Sequence, residues 1–99
     1  MLHTVNKSPF DHGSLEACLK FARKGSAVLL IEDGVYAAGK GTAISQQVQE
    51  ALKNVAIYAL KPDVEARGMQ HRVMDGVRLV DYGGFVDLVV EHNAVQSWL

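Results

Sequence analysis

Apolar and polar positions alternate between two periods along the chain, and that alternation predicts its elements. Leu15, Cys18, Leu19 and Ala22 fall at i, i+3, i+4 and i+7, one apolar face of a helix. Ser14 stands where an N-cap is expected, and Gly25 where the helix must stop. Arg23 and Lys24 suit the helix end, where backbone carbonyls point outward. Ala27-Val28-Leu29-Leu30-Ile31 is instead a continuous apolar run bounded by turn residues. Such a run predicts a strand buried on both faces, as in a parallel sheet. Val55 to Leu60 predicts another, Val77 to Val80 a further one, and Met1 to Val5 a short strand that begins the order.

Between these strands the pattern returns to helical spacing. Asp33 is placed to cap a helix through Val35, Tyr36, Ala37 and Ala38, broken by Gly39-Lys40-Gly41. A polar helix is expected over about Thr42 to Lys53, with Ile44, Val48, Ala51 and Leu52 as its stripe. Pro62 begins a short helix that Gly68 ends. Met69 to Gly76 reads as irregular. Asp81 or Gly83-Gly84 opens a last helix with Phe85, Leu88 and Val89 inward, and Ala94 to Leu99 suits a short fifth strand. Strand and helix alternate throughout. The expected fold is α/β: one small doubly wound domain over residues 1–99, with a mainly parallel four- to five-stranded sheet, right-handed crossovers and flavodoxin-like layering.

Composition narrows the function classes. Of 99 residues, 48% are hydrophobic, a large share for a chain that buries only about two thirds of its unfolded surface. Some apolar surface must stay outside, and a protein partner is a natural cover for it. Ten Lys and Arg balance eleven Asp and Glu, and the basic residues are scattered without interleaved aromatics. Direct nucleic-acid binding is therefore not indicated. No apolar run is long enough to span a bilayer, and residues 1–7 lack the basic-then-apolar order of a secretory signal. The one cysteine, Cys18, can form no intramolecular disulfide and fits a reducing cytoplasm.

Candidate chemistry collects where strands end. Glu32-Asp33-Gly34 puts two carboxylates there, read either as acid/base or metal-binding groups or as a cap and tight turn. Asp81-Tyr82-Gly83-Gly84 is either an anion nest or a plain turn. Gly39-Lys40-Gly41 is too short to be a phosphate loop. Cys18 is the nucleophile candidate beyond hydroxyls. On the apolar face of its helix it is either a packed small hydrophobe or, near the helix start, a thiol whose thiolate the helix dipole favours. His12, in the loop before that helix, is a candidate for proton assistance. His3 reads as a hydrogen-bonded core or interface residue, and Trp98 as a cover for the domain's edge or an interface anchor. No histidine has metal-ligand spacing to another ligand, and neither a metal nor an organic cofactor is called for.

Residues 1–10, Met-Leu-His-Thr-Val-Asn-Lys-Ser-Pro-Phe, resemble the opening of DsrH and TusB proteins. So do Leu29 to Ala38, Ala59-Leu60 with Pro62-Asp63 and Ala66-Arg67-Gly68, Val80-Asp81-Tyr82 with Gly84-Phe85-Val86, and the ending Gln96-Ser97-Trp98-Leu99. The resemblance runs the whole chain in order. It implies a DsrE/DsrH-like α/β fold and a cytoplasmic sulfur-relay subunit that carries or passes persulfide sulfur between proteins. Implied partners are DsrE/DsrF-like or TusD/TusC-like subunits in a heterohexamer, and a DsrC/TusE-like sulfur acceptor. In the Tus branch the sulfur goes toward 2-thiouridine at the tRNA wobble position; in the Dsr branch it feeds sulfur oxidation. DsrH-type chains carry a cysteine in a stretch like Ser14 to Ala22, whereas TusB-type chains commonly lack it, so Cys18 favours the Dsr branch and makes it the candidate persulfide carrier. The alternative is a non-catalytic scaffold that positions its partners, with Cys18 only packed.

Overall fold

A computed structural model describes residues 1–99. Strands β1 (Leu2–Val5), β2 (Ala27–Leu30), β3 (Ala56–Leu60), β4 (Arg78–Val80) and β5 (Val95–Trp98) form one sheet in the order β4-β3-β2-β1-β5. Every pair is parallel. Between them lie helix α1 (Ser14–Phe21), a 3-10 helix (Glu32–Ala38), α2 (Ser45–Ala51), α3 (Lys61–Ala66) and α4 (Tyr82–Glu91).

Crossover handedness distributes the helices. From β1 to β4 each step moves one strand in the same direction, so the right-handed rule puts α1, α2 and α3 on one face. The chain must then return from β4 at one edge to β5 at the other. That reversal puts α4 alone on the opposite face. Side-chain alternation follows. Val5, Val28, Leu30, Ile57 and Ala59 point into a core of 17 buried residues with Leu15, Cys18, Val35, Val48 and Val64. Leu2, Ala27 and Leu29 point the other way and meet only Leu88 of α4 in a core of four, flanked by Ile31, Tyr58, Val80 and Phe85. Two layers of helix exist as expected, but one is a full cover and the other a single strap.

β2 is apolar throughout because it is paired on both edges and covered on both faces, with Val28, Leu29 and Leu30 fully buried. Each such side chain stabilises the fold by about 1.5–3 kcal/mol.

Several local expectations differ from the structure. Ser14 is the first helical residue, not the cap; Gly13 precedes α1 without a side-chain cap, and the Ser14 hydroxyl donates to the Leu99 carbonyl at 3.0 Å. Asp33 does not cap its helix either, since Ile31 holds that position and Asp33 is drawn to a cation. The polar helix is shorter than its pattern, Ser45–Ala51. Asp81 does cap α4, accepting the Gly84 N–H at 2.8 Å. Of the residues expected inward on α4, Phe85 and Leu88 face the sheet, while Val89 is exposed.

Candidate functional site

Cys18 lies in the second turn of α1, on the face that closes on the sheet. Its side chain is fully buried, in the core that also holds Leu15 and Val5. Burial disfavours the charged thiolate and pushes the thiol up to about 12. His12 sits in the exposed turn before α1, where its backbone N–H donates to the Ser8 carbonyl at 3.1 Å. No hydrogen bond joins the two residues.

Of the two carboxylates at the end of β2, that of Asp33 is tied to a cation, while that of Glu32 makes no hydrogen bond or ion pair. Glu32 has φ +49°, in the left-handed region. Its N–H donates to the Asp63 carboxylate at 2.7 Å. Asp33 receives Nε and Nη2 of Arg67 on one oxygen, at 3.0 and 2.9 Å, while Nη1 of Arg67 donates to the Asp63 carbonyl at 3.2 Å. The same guanidinium lies 6.0 Å over the Tyr36 ring. The cluster clamps α3 to the 3-10 helix. Beside it opens a cavity of about 240 Å³ walled by Phe10, Tyr36, Thr42, Arg67, Met69 and Arg72. The guanidinium of Arg67 is therefore a fixed part of its wall. Asp33 and Asp63 already hold partners, so neither stands free as an acid/base group. No group of three His, Cys, Asp or Glu comes together as a metal cage.

Sequence reasoning missed Arg67 as the organiser of this edge. Its partner Asp33 is 34 residues away, and no spacing rule joins them. One position was more legible. Gly34 is required because a Cβ there would collide with the Val5 carbonyl, which accepts the Ile31 N–H at 3.0 Å.

The winding direction reverses between β1 and β5, which makes the crevice at their C-terminal ends the topological switch point. The Asn6 side-chain oxygen is buried there without a hydrogen-bond partner. On the α1 face of the same two strands, Trp98 donates its indole N–H to Nδ1 of His3 at 3.1 Å. His3 is 1% exposed, so of its two expected roles it takes the hydrogen-bonded core position. Burial, and secondarily the positive N-terminus, lower its pKa.

No helix is long and apolar enough to cross a membrane. Comparison with solved structures gives the same fold in the ychN protein from E. coli, with a TM-score of 0.81 at 21% identity over 97% of both chains. Protein MTH1491 from Methanobacterium thermoautotrophicum superposes with a TM-score of 0.78 at 18% identity, over 97% of this chain and 96% of that one. Sequence comparison reaches further. The chain is 41% identical over 98 residues to Protein TusB of Pectobacterium parmentieri, covering 99% of this chain and all of the relative. Over the same coverage it is 37% identical to Protein TusB of Photorhabdus laumondii and 35% identical to Protein TusB of Escherichia coli O81. The family model described as "DsrH like protein" matches residues 7–95. This chain belongs to the DsrH-like family.

Proposed function

We propose that this chain is a subunit of a cytoplasmic sulfur-relay complex and that its own part is to hold partner subunits in position while a partner carries the persulfide. Membership of the DsrH-like family and identity to TusB proteins over the whole chain support the relay setting. One observation carries the positioning role: Cys18, the sole thiol, is closed inside the subunit's own core with its pKa pushed up to about 12. Exchange with a persulfide needs a thiolate that can reach the sulfur it attacks. A neutral, enclosed thiol supplies neither.

An apolar stripe supports the assembly. On α4, Tyr82, Val86 and Val90 recur every fourth residue and are exposed by 61%, 60% and 75%, on the side away from the sheet. Val89 extends the patch. Contiguous apolar surface of this kind marks a protein interface. The partners in this reading are TusD/TusC-like (DsrE/DsrF-like) subunits of a heterohexamer, with a TusE/DsrC-like protein as sulfur acceptor. The TusB names of the relatives favour the 2-thiouridine branch. The presence of Cys18 argued for the Dsr branch, but as a packed residue it has no chemical bearing on the choice.

Reconstitution tests the reading. A complex containing Cys18→Ala is expected to pass sulfur to its acceptor at the wild-type rate, and omission of the subunit to abolish assembly. The competing reading makes Cys18 the carrier, with His12 assisting the proton. It requires α1 to lift from the sheet, and it requires the Cys18→Ala complex to assemble and yet lose transfer.

A further inference from the structure

His3 is more than a core residue. It projects to the α1 side of β1, like Val5 two positions on. Its Nδ1 accepts the Trp98 indole N–H at 3.1 Å. A ring nitrogen that accepts carries no proton, so the neutral ring holds its proton on Nε2. No group of the chain accepts from that Nε2. Next to it opens a cavity of about 200 Å³, walled by Met1, His3, Phe21, Arg23 and Ser26. A side chain 99% buried thus lines a cavity with one N–H donor unspent.

The rest of the wall describes what the donor is offered to. Phe21, 63% exposed, stands edge-on to Trp98 with ring centroids 5.8 Å apart, and Met1, 48% exposed, adds a second apolar side. Arg23 is exposed at the rim and has no ion pair. The His3 N–H, the Ser26 hydroxyl, the Arg23 guanidinium and the positive N-terminus of Met1, set beside the apolar faces of Phe21 and Met1, call for an anionic acceptor on an apolar body. A charged acceptor strengthens the hydrogen bond about twofold over a neutral one. A doubly charged phosphate would lose much of its hydration against the apolar faces of Phe21 and Met1. The volume lies below the roughly 300–1,000 Å³ of pockets for drug-sized molecules. It suits a ligand of fewer than about ten non-hydrogen atoms.

We propose that this cavity is a binding site for a small carboxylate with an apolar body. The carboxylate accepts from Nε2–H of His3 within reach of Arg23, and the body lies against Phe21 and Met1. The site is independent of the sulfur-relay reading. It uses the α1 face at the start of the strands, whereas the apolar stripe lies on α4.

Long-range proton–nitrogen NMR of the full chain tests it, with benzoate as the probe, benzamide as its neutral isostere and sodium chloride at matched ionic strength. His3 is expected in the Nε2–H tautomer. Benzoate is expected to give saturable shifts of the His3 ring and Trp98 indole signals, with benzamide binding several-fold more weakly. Arg23→Gln, at an exposed position without a partner, keeps the fold and is expected to raise the benzoate Kd about two- to fivefold. The proposal is overturned by an Nδ1–H tautomer at His3, by shifts that do not saturate, by equal binding of benzoate and benzamide, or by an unchanged Kd in Arg23→Gln.

Discussion

The indole of Trp98 donates to Nδ1 of His3, 95 residues away, and fastens the exposed edge strand β5 to the buried strand β1. The bond exists only while His3 is neutral, because an imidazolium has a proton on both nitrogens and accepts nothing.

Stability should therefore follow the His3 titration. The folded-state pKa is lowered from 6.5, so near and below that value the unfolded chain binds more protons than the folded one. The contribution is fully present above about pH 6.5 and is lost as pH falls through the lower folded-state value. Thermal unfolding followed by fluorescence of Trp98, the one tryptophan, should show Tm falling as pH drops below about 6.5. A Tm that is flat or rises toward acid across that window would contradict the assignment.

Cys18 should behave as core. At pH 8, well below its raised pKa of about 12, the thiol is almost entirely protonated. Iodoacetamide should leave the native chain unmodified and label it fully in denaturant. Cys18→Ser puts a hydroxyl where no partner waits and should cost about 1–3 kcal/mol in chemical denaturation. Rapid native alkylation would show that α1 opens.

The sharp turn after β2 rests on two constraints. Gly34→Ala pushes a methyl group into the Val5 carbonyl, a backbone atom that cannot step aside. It should destabilise by about 3 kcal/mol, the upper end of the roughly 1–3 kcal/mol that overpacking typically costs, because the clash is with backbone. A neutral Gly34→Ala in urea unfolding would mean that the β1–β2 edge sits elsewhere.

Glu32 supplies the second constraint. Its left-handed backbone costs about 1–2 kcal/mol for a non-glycine residue, and Asp63 holds the N–H in place. Asp63→Ala should cost about 1 kcal/mol. Adding Glu32→Gly should recover much of that loss, because glycine adopts this conformation without a Cβ penalty. Two losses that simply add would show that the backbone there is unstrained.

The α4 stripe should matter only in company. Val90→Glu, at a position 75% exposed, should leave the subunit's Tm within about 2–4 °C, since surface changes usually fall within about 0.5 kcal/mol. It should reduce co-purification with TusC/TusD-like partners by tenfold or more. Unaltered assembly would put the interface on another surface.

What could be read from the sequence divides along physical lines. The run Ala27 to Ile31 announced a central strand because burial on both faces leaves a mark on every residue. Asp81 announced the start of α4 because capping is local. Ser14 and Asp33 misled because each had a distant partner, Leu99 and Arg67, that local rules do not contain. The apolar face bearing Cys18 was legible, but whether it closed on its own sheet or on another subunit was not. The His3 cavity needed β1, α1 and β5 assembled before its free donor could be seen.

The most direct test is the intact mass of each subunit in the assembled complex after incubation with a persulfide donor. This chain should keep its unmodified mass while a partner gains one sulfur atom. A gain of one sulfur on this chain, absent in Cys18→Ser, would contradict the positioning role and make Cys18 a carrier.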